Sequence, residues 1–118
     1  MKISSKTHGI IDYVFVVFLW LSPTLFGLAE TTALFTYILG GIHLAMTLLT
    51  NFEVGIIKWI PFRLHGLIEL VVAIALGGVA FYLGNLEGDL SRNYYLGLAV
   101  TILVVFLLTD FKKTTVIE

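Results

Sequence analysis

Two short segments of this chain place an acidic residue four positions after a histidine. The first is HGIID, which begins at His8, and the second is HGLIE, which begins at His65. Residues four apart lie on one face of a helix, so each histidine shares a face with its carboxylate. The side chains concerned are those of His8, Asp12, His65 and Glu69. Two imidazoles and two carboxylates could bind a divalent ion such as zinc, iron or manganese, or they could handle protons.

A purely structural role for these pairs is the alternative. Each histidine could bond its own carboxylate at a helix start, where the helix dipole already favours a negative charge. The carboxylates could also act as outer-sphere partners that orient the imidazoles around a metal ion. The residue types alone leave these alternatives open.

The third histidine, His43, has no counterpart at the spacing of the two motifs. Thr47 lies one turn away on the same helix face, so His43 could be an ordinary core residue bonded to that threonine. It could instead be the deep member of a polar path that begins at His8 and Asp12. A further alternative is a noncovalent haem held by two histidines between facing helices, because the chain has no cysteine for covalent attachment.

The composition indicates an integral membrane protein. Hydrophobic residues make up 58% of the 118 residues and charged residues 13%, whereas soluble domains have about 25% charged residues. The net charge of -1 excludes the broad basic surface that nucleic-acid binding requires. The partners that we expect are the lipid bilayer and other membrane helices, a second copy of the chain included.

Four apolar runs predict four transmembrane helices, at residues 9–28, 33–50, 64–83 and 94–108. Residues 51–63 read as an interfacial connection, and residues 84–93 as a polar loop that contains two glycines. The predicted fold is an all-α integral membrane bundle of four helices, formed by two tandem hairpins. The chain, 1–118, reads as a single membrane domain.

The basic residues predict the orientation. Four spans place both termini and the middle connection on one side, and six of the seven basic residues fall there. They are Lys2, Lys6, Lys58, Arg63, Lys112 and Lys113. Only Arg92 lies on the other side, so the positive-inside rule predicts an inner-membrane protein with cytoplasmic termini.

The two motifs belong to a predicted internal duplication. His65 follows His8 by 57 residues, and LLTNF at residues 48–52 returns as LLTDF at residues 107–111, an offset of 59. The predicted repeats are residues 8–52 and 65–111. Each contains two spans, so the halves should be related by an axis along the membrane normal.

The first span contains Trp20, Leu21, Ser22 and Pro23, followed by Gly27. This stretch resembles the signature of the SPW repeat family, which comprises small bacterial membrane proteins built from paired two-span units. Here Trp-Leu directly precedes Ser-Pro, and Thr24 stands where that family has tryptophan. The resemblance implies the paired-hairpin fold, and the family has no settled biochemical role.

Three classes of function remain open. A cofactor or proton site, with or without enzyme activity, needs polar groups concentrated at one end, as these motifs predict. A small transporter or channel needs polar groups across the full thickness of the membrane, and the outer halves of the spans offer few. Small multidrug resistance transporters resemble the chain in size, but Tyr13 to Leu21 lacks their membrane glutamate. An accessory subunit without chemistry needs only helix-packing faces.

Overall fold

The computed structural model describes residues 2–112 as four helices with two very short strands. Met1 and residues 113–118, which include Lys113, lie outside the described residues. The elements in chain order are α1 (Ser5–Leu25), α2 (Glu30–Leu49), β1 (Thr50–Asn51), β2 (Ile60–Pro61), α3 (Phe62–Glu87) and α4 (Asp89–Leu108). All four helices are long and apolar enough to cross a membrane. The prediction of an all-helical fold with four such helices is confirmed.

The polar loop predicted at residues 84–93 is wrong. Helix α3 continues to Glu87, α4 begins at Asp89, and only Gly88 separates them. Gly88 has a φ of 104°, which glycine adopts without the steric penalty that other residues meet. The charged residues of this segment are therefore helical, and Asp89 lies in the first turn of α4, where the helix dipole favours an acid.

The core lies where the two helical hairpins, α1–α2 and α3–α4, meet. Leu19, Ala80 and Leu83 are fully buried, and Tyr95 is almost fully buried beside them. Many other large apolar side chains, such as Val14, Ile42 and Ile74, are exposed. In water this exposure would be costly, whereas helices surrounded by lipid carry apolar residues on their outer faces.

The end of the bundle near Gly88 is held by polar contacts between α2 and the second hairpin. The Glu87 carboxylate accepts hydrogen bonds from the backbone N–H groups of Thr31 and Thr32, at 2.9 and 2.6 Å. The Thr32 hydroxyl lies 2.6 Å from that of Ser91. Glu87 thus caps the N-terminus of α2, where backbone donors lack helical partners.

At the opposite end of the bundle, two similar parallel pairings join segments that precede or follow helices. Thr50 pairs with Ile60 in the parallel ladder of β1 and β2, and Thr109 forms a parallel bridge with Ile3. Ile60 follows Ile3 by 57 residues and Thr109 follows Thr50 by 59, the two offsets of the predicted duplication. Superposition of the complete halves stays a prediction.

Candidate functional site

The two His–acid pairs meet inside the bundle. The Nε2 atom of His8 lies 2.6 Å from Oε1 of Glu69 and 3.4 Å from Oδ2 of Asp12. The Nε2 atom of His65 contacts the same Glu69 oxygen and lies 3.1 Å from Oδ2 of Asp12. All four side chains are buried, and one ligand atom from each lies within 4.8 Å of the others. Helices α1 and α3 therefore contribute one imidazole and one carboxylate each.

His43 approaches the same cluster from α2. Its Nε2 atom lies 3.4 Å from Oδ1 of Asp12, and its ring contacts the ring of Phe15 edge-on, with centroids 5.4 Å apart. Thr47 does not bond the His43 ring, because its hydroxyl donates to the backbone carbonyl of His43. His43 thus lies at the edge of the four-residue cluster, and no threonine among residues 2–112 hydrogen-bonds its ring.

Two threonines fix the orientation and the tautomer of the central histidines. The Nδ1 atom of His8 lies 2.8 Å from the hydroxyl of Thr109, and that of His65 lies 2.7 Å from the hydroxyl of Thr50. Each hydroxyl donates its single hydrogen to a backbone carbonyl four residues earlier, at 2.6 Å. Each threonine oxygen must therefore accept from the imidazole. From this network we assign the proton of both neutral rings to Nδ1.

This assignment directs the Nε2 lone pairs of both rings at the carboxylates. Two lone-pair atoms at 2.6 Å repel unless they share a proton, and a metal ion bound by both would hold them about 3.3 Å or more apart. Three atoms in or beside the cluster lack a hydrogen bond of good geometry within residues 2–112, although each lies 3.1 to 3.4 Å from a polar atom of another residue. They are Oδ2 of Asp12, Nε2 of His43 and Nε2 of His65. The cluster therefore has donor atoms available for a cation.

The charge of the cluster matches a divalent ion. Among residues 2–112, Asp12 and Glu69 form ion pairs only with histidines, and no lysine or arginine offsets them. Two buried carboxylates with neutral imidazoles carry a charge of about −2, which is costly away from water unless it is compensated. One divalent cation, or protons on both central imidazoles, would compensate it.

The end of the cluster that faces β1 and β2 is closed by phenylalanine rings. The Phe62 ring contacts the rings of both histidines, with centroids 5.4 Å from His8 and 5.9 Å from His65. Phe111 contacts the His8 ring, and Phe52 contacts the His65 ring. Phe52 and Phe62 have no exposed surface. We call Phe52, Phe62 and Phe111 the aromatic roof.

The glycine of each motif makes room for this roof. A Cβ atom on Gly66 would lie 2.6 Å from the Phe111 ring, and one on Gly9 would lie 3.0 Å from Phe52 and 2.2 Å from Val54. Such distances are below van der Waals contact, so a larger residue would displace the rings. In each motif the histidine belongs to the cluster, and the glycine that follows it leaves the space in which the phenylalanine rings pack.

Two small cavities adjoin the cluster. One of about 60 Å³ is lined by His43 and Glu69, and one of about 20 Å³ by Asp12, His43 and Glu69. Pockets for drug-sized ligands measure about 300–1,000 Å³. The rings of His8 and His65 are also only 5.3 Å apart between centroids. The geometry therefore leaves no room for a haem between these histidines.

The sequence motifs identified the histidines and carboxylates but not the threonines or the aromatic roof. The missed residues are Thr50, Thr109, Phe52, Phe62 and Phe111. A signal was present, because LLTNF and LLTDF carry Thr50 with Phe52 and Thr109 with Phe111. The sequence alone did not show which histidine each segment contacts. Thr50 and Phe52 contact His65, whereas Thr109 and Phe111 contact His8.

In comparisons with protein-family models, curated proteins and solved structures, no significant match to this chain was found.

Proposed function

We propose that this chain is a metal-binding protein of the bacterial inner membrane, with a site for one divalent first-row transition ion inside its helical bundle. The ligands are Nε2 of His8, Nε2 of His65 and carboxylate oxygens of Asp12 and Glu69. One observation carries the proposal: both imidazoles are bonded through Nδ1 to threonines that can only accept, so their lone pairs face two buried carboxylates. Zinc, iron(II) and manganese(II) all accept this mixture of nitrogen and oxygen ligands.

The spacing of the donor atoms supports a mononuclear site. Donor atoms about 2.0–2.2 Å from one tetrahedral zinc ion lie about 3.3–3.6 Å apart. The four atoms here lie within 4.8 Å of one another, and the His8–Glu69 pair is only 2.6 Å apart. Binding would therefore require this pair to separate by roughly 0.7 Å or more. The threonines Thr50 and Thr109 act as outer-sphere partners, which orient metal-bound histidines in known sites.

The membrane location rests on the helices and on the charges. The bundle measures 44 Å along its longest axis, which suits a bilayer about 40–45 Å thick with its headgroups. We place the end that carries the metal site in the cytoplasmic leaflet, because Lys2, Lys6, Lys58, Arg63 and Lys112 belong to that end. The apolar outer faces then contact lipid. Membership of the SPW repeat family is part of the same proposal.

Reporter fusions test the orientation. A fusion after Glu118 and one inserted at Gly88 should report opposite sides of the membrane, with the C-terminus cytoplasmic. The reason is that six of the seven basic residues lie on the terminal side of the four-span arrangement. A periplasmic C-terminus, or equal signals from both fusions, would contradict the proposed orientation.

Elemental analysis combined with an absorption spectrum tests the function. The protein purified from membranes without chelators should contain about one zinc, iron or manganese ion per chain and show no haem absorption. A chain that stays free of metal, and that binds none of these ions when they are supplied, would contradict the proposal. The cluster would then be a protonated hydrogen-bond network, as expected for an accessory subunit or a proton-handling site.

A further inference from the structure

The two oxygen atoms of the Asp12 carboxylate have different neighbours. Its Oδ2 atom lies 3.4 Å from Nε2 of His8 and 3.1 Å from Nε2 of His65, the two central histidines of the cluster. Its Oδ1 atom lies 3.4 Å from Nε2 of His43, on helix α2. One oxygen of this proposed ligand therefore faces the metal site, and the other faces a histidine outside the group of four.

The His43 ring presents a hydrogen to this oxygen, unlike the two central rings. An ionised carboxylate only accepts hydrogen bonds, so the nitrogen that faces Oδ1 of Asp12 must carry the hydrogen of the neutral ring. From this contact we assign the hydrogen of His43 to Nε2, whereas the hydrogens of His8 and His65 lie on Nδ1. A nitrogen that carries a hydrogen cannot bind a metal ion. His43 is therefore a partner of Asp12 and not a fifth ligand in this arrangement.

The surroundings of His43 favour this partner. Nε2 of His43 is buried, and within residues 2–112 Asp12 is the only residue that makes a polar contact with the ring. Phe15 packs edge-on against the same ring. A buried N–H group without a partner is costly, so the ring gains most by bonding the Asp12 carboxylate.

The contact between His43 and Asp12 is slightly longer than a hydrogen bond. Hydrogen bonds of the N–H···O type measure about 2.7–3.2 Å, and the distance here is 3.4 Å. The cluster must rearrange on metal binding in any case, because His8 and Glu69 lie too close together to bind one ion. A movement of Asp12 toward His43 by roughly 0.2 Å or more during that rearrangement would complete the bond.

We propose that His43 is a positioning residue, which holds Asp12 to a single metal-binding oxygen and thereby makes the site selective for zinc. This inference rests on the proposed metal site and adds the identity of the ion. While Oδ1 of Asp12 is bonded to His43, the carboxylate binds the ion through Oδ2 alone. The four ligand residues then supply one donor atom each.

The number of donor atoms connects this contact to the choice of metal. Zinc in closed protein sites is almost always bound by four ligands in a tetrahedral arrangement. Manganese(II) favours octahedral sites that are rich in oxygen. A second oxygen from Asp12 would raise the number of donor atoms and make the site more suitable for manganese(II). Because His43 engages that oxygen, the site favours zinc.

The visible absorption of bound cobalt(II) tests the coordination number, because its bands are intense in four-coordinate sites and weak in six-coordinate ones. The full chain in lipid nanodiscs is loaded with cobalt(II), and its metal content is measured. We expect intense bands in the unaltered protein and weaker bands in His43→Leu, where Asp12 is free to bind through both oxygens. Weak bands from cobalt(II) bound to the unaltered protein would overturn this inference and leave the metal site intact. Failure to bind cobalt(II), zinc or manganese(II) would overturn the proposed function itself.

Competition titrations with zinc and with manganese(II) test the selectivity. Leucine keeps much of the bulk of histidine but has no N–H group. We therefore expect the zinc affinity of His43→Leu to fall by about 10- to 100-fold, as on the loss of other outer-sphere partners. The manganese(II) affinity should fall less, so that the ratio of the two constants falls. In His43→Gln the amide N–H group can replace the Nε2–H group, and most of the ratio should be recovered.

Met46→Ala is the matched control for a change of packing beside the site. Met46 lies on the same helix as His43 and lines the cavity of about 60 Å³ with His43 and Glu69, but its side chain has no hydrogen-bond donor. Its replacement should leave the ratio of affinities and the cobalt(II) bands unchanged. Equal ratios in His43→Leu and Met46→Ala, or a His43→Gln protein that behaves like His43→Leu, would overturn the positioning role. If His43→Leu does not fold, His43→Ala takes its place in both measurements.

Discussion

Replacing His8 or His65 by alanine is expected to weaken metal binding by more than about 100-fold. Loss of an outer-sphere partner costs about 10- to 100-fold in known sites, and loss of a direct ligand should cost more. The two replacements should have similar effects, because each ring contacts the same Glu69 oxygen and is held by one threonine. Competition titration of the purified variants with zinc and a chelator of known affinity measures both constants.

His43→Ala is the matched control for these two variants. His43 lies 3.4 Å from Asp12 but outside the group of four whose ligand atoms converge. We therefore expect a smaller loss of affinity than for either central histidine. Unchanged affinity after removal of His8 or His65, or a clear inequality between the two, would contradict a shared site with equivalent imidazoles.

Thr50→Val and Thr109→Val are each expected to lower metal affinity by about 10- to 100-fold. Valine keeps the shape of threonine but removes the oxygen that accepts the Nδ1–H of His65 or of His8. The ring could then rotate or place its proton on Nε2, the atom that must bind the metal. The same zinc competition titration gives the change in affinity.

Thr47→Val controls for the loss of a buried hydroxyl. Thr47 is fully buried and its hydroxyl donates to the backbone carbonyl of His43, four residues earlier, in the way that Thr50 donates to Met46, but this bond does not involve the imidazole of His43. Its replacement should leave metal affinity close to that of the unaltered protein. If all three valine variants behave alike, the threonines act through helix stability and do not orient the histidines.

The helices were predictable because each apolar run is far longer than a strand and almost free of charge. The residues at which the helices end were harder to predict. Residues 84–87 and 89–93 continue the helices although they include Glu87, Asp89 and Arg92, because one glycine suffices to reverse the chain. Composition marked this segment as polar but could not show that its polar groups cap helices.

The sequence also did not show which glycines lie against side chains of neighbouring elements. Gly41, Gly77 and Gly97 each have a small residue four positions away, a spacing typical of helix contact faces, yet among the described residues a Cβ atom on any of them would have no neighbour within 4 Å. Tight approaches lie instead at other glycines, among them Gly9 and Gly66 beside the aromatic roof, Gly40 against Trp20 and Gly84 against Arg92. Whether a glycine contacts a neighbouring helix depends on how each helix is rotated about its own axis. The spacing of residues along one helix does not determine that rotation.

The acidic and histidine members of the site were predictable because four-residue spacing fixes a shared helix face. Whether the two pairs meet depends on how α1 packs against α3, which the spacing does not specify. The threonine that orients His8 lies 101 positions away in sequence, at Thr109. No local pattern specifies such a contact. The predicted duplication places Thr50 and Thr109 in corresponding segments, which could have suggested a shared role but no particular partner.

Anomalous diffraction from crystals grown with zinc or cobalt(II) tests the central claim most directly. The metal site predicts one strong peak inside the bundle, about 2.0–2.2 Å from Nε2 of His8, Nε2 of His65 and carboxylate oxygens of Asp12 and Glu69. The same crystals should show Nδ1 of each histidine within hydrogen-bond distance of its threonine. Peaks confined to the protein surface, with the four side chains in direct contact and no ion between them, would contradict the account.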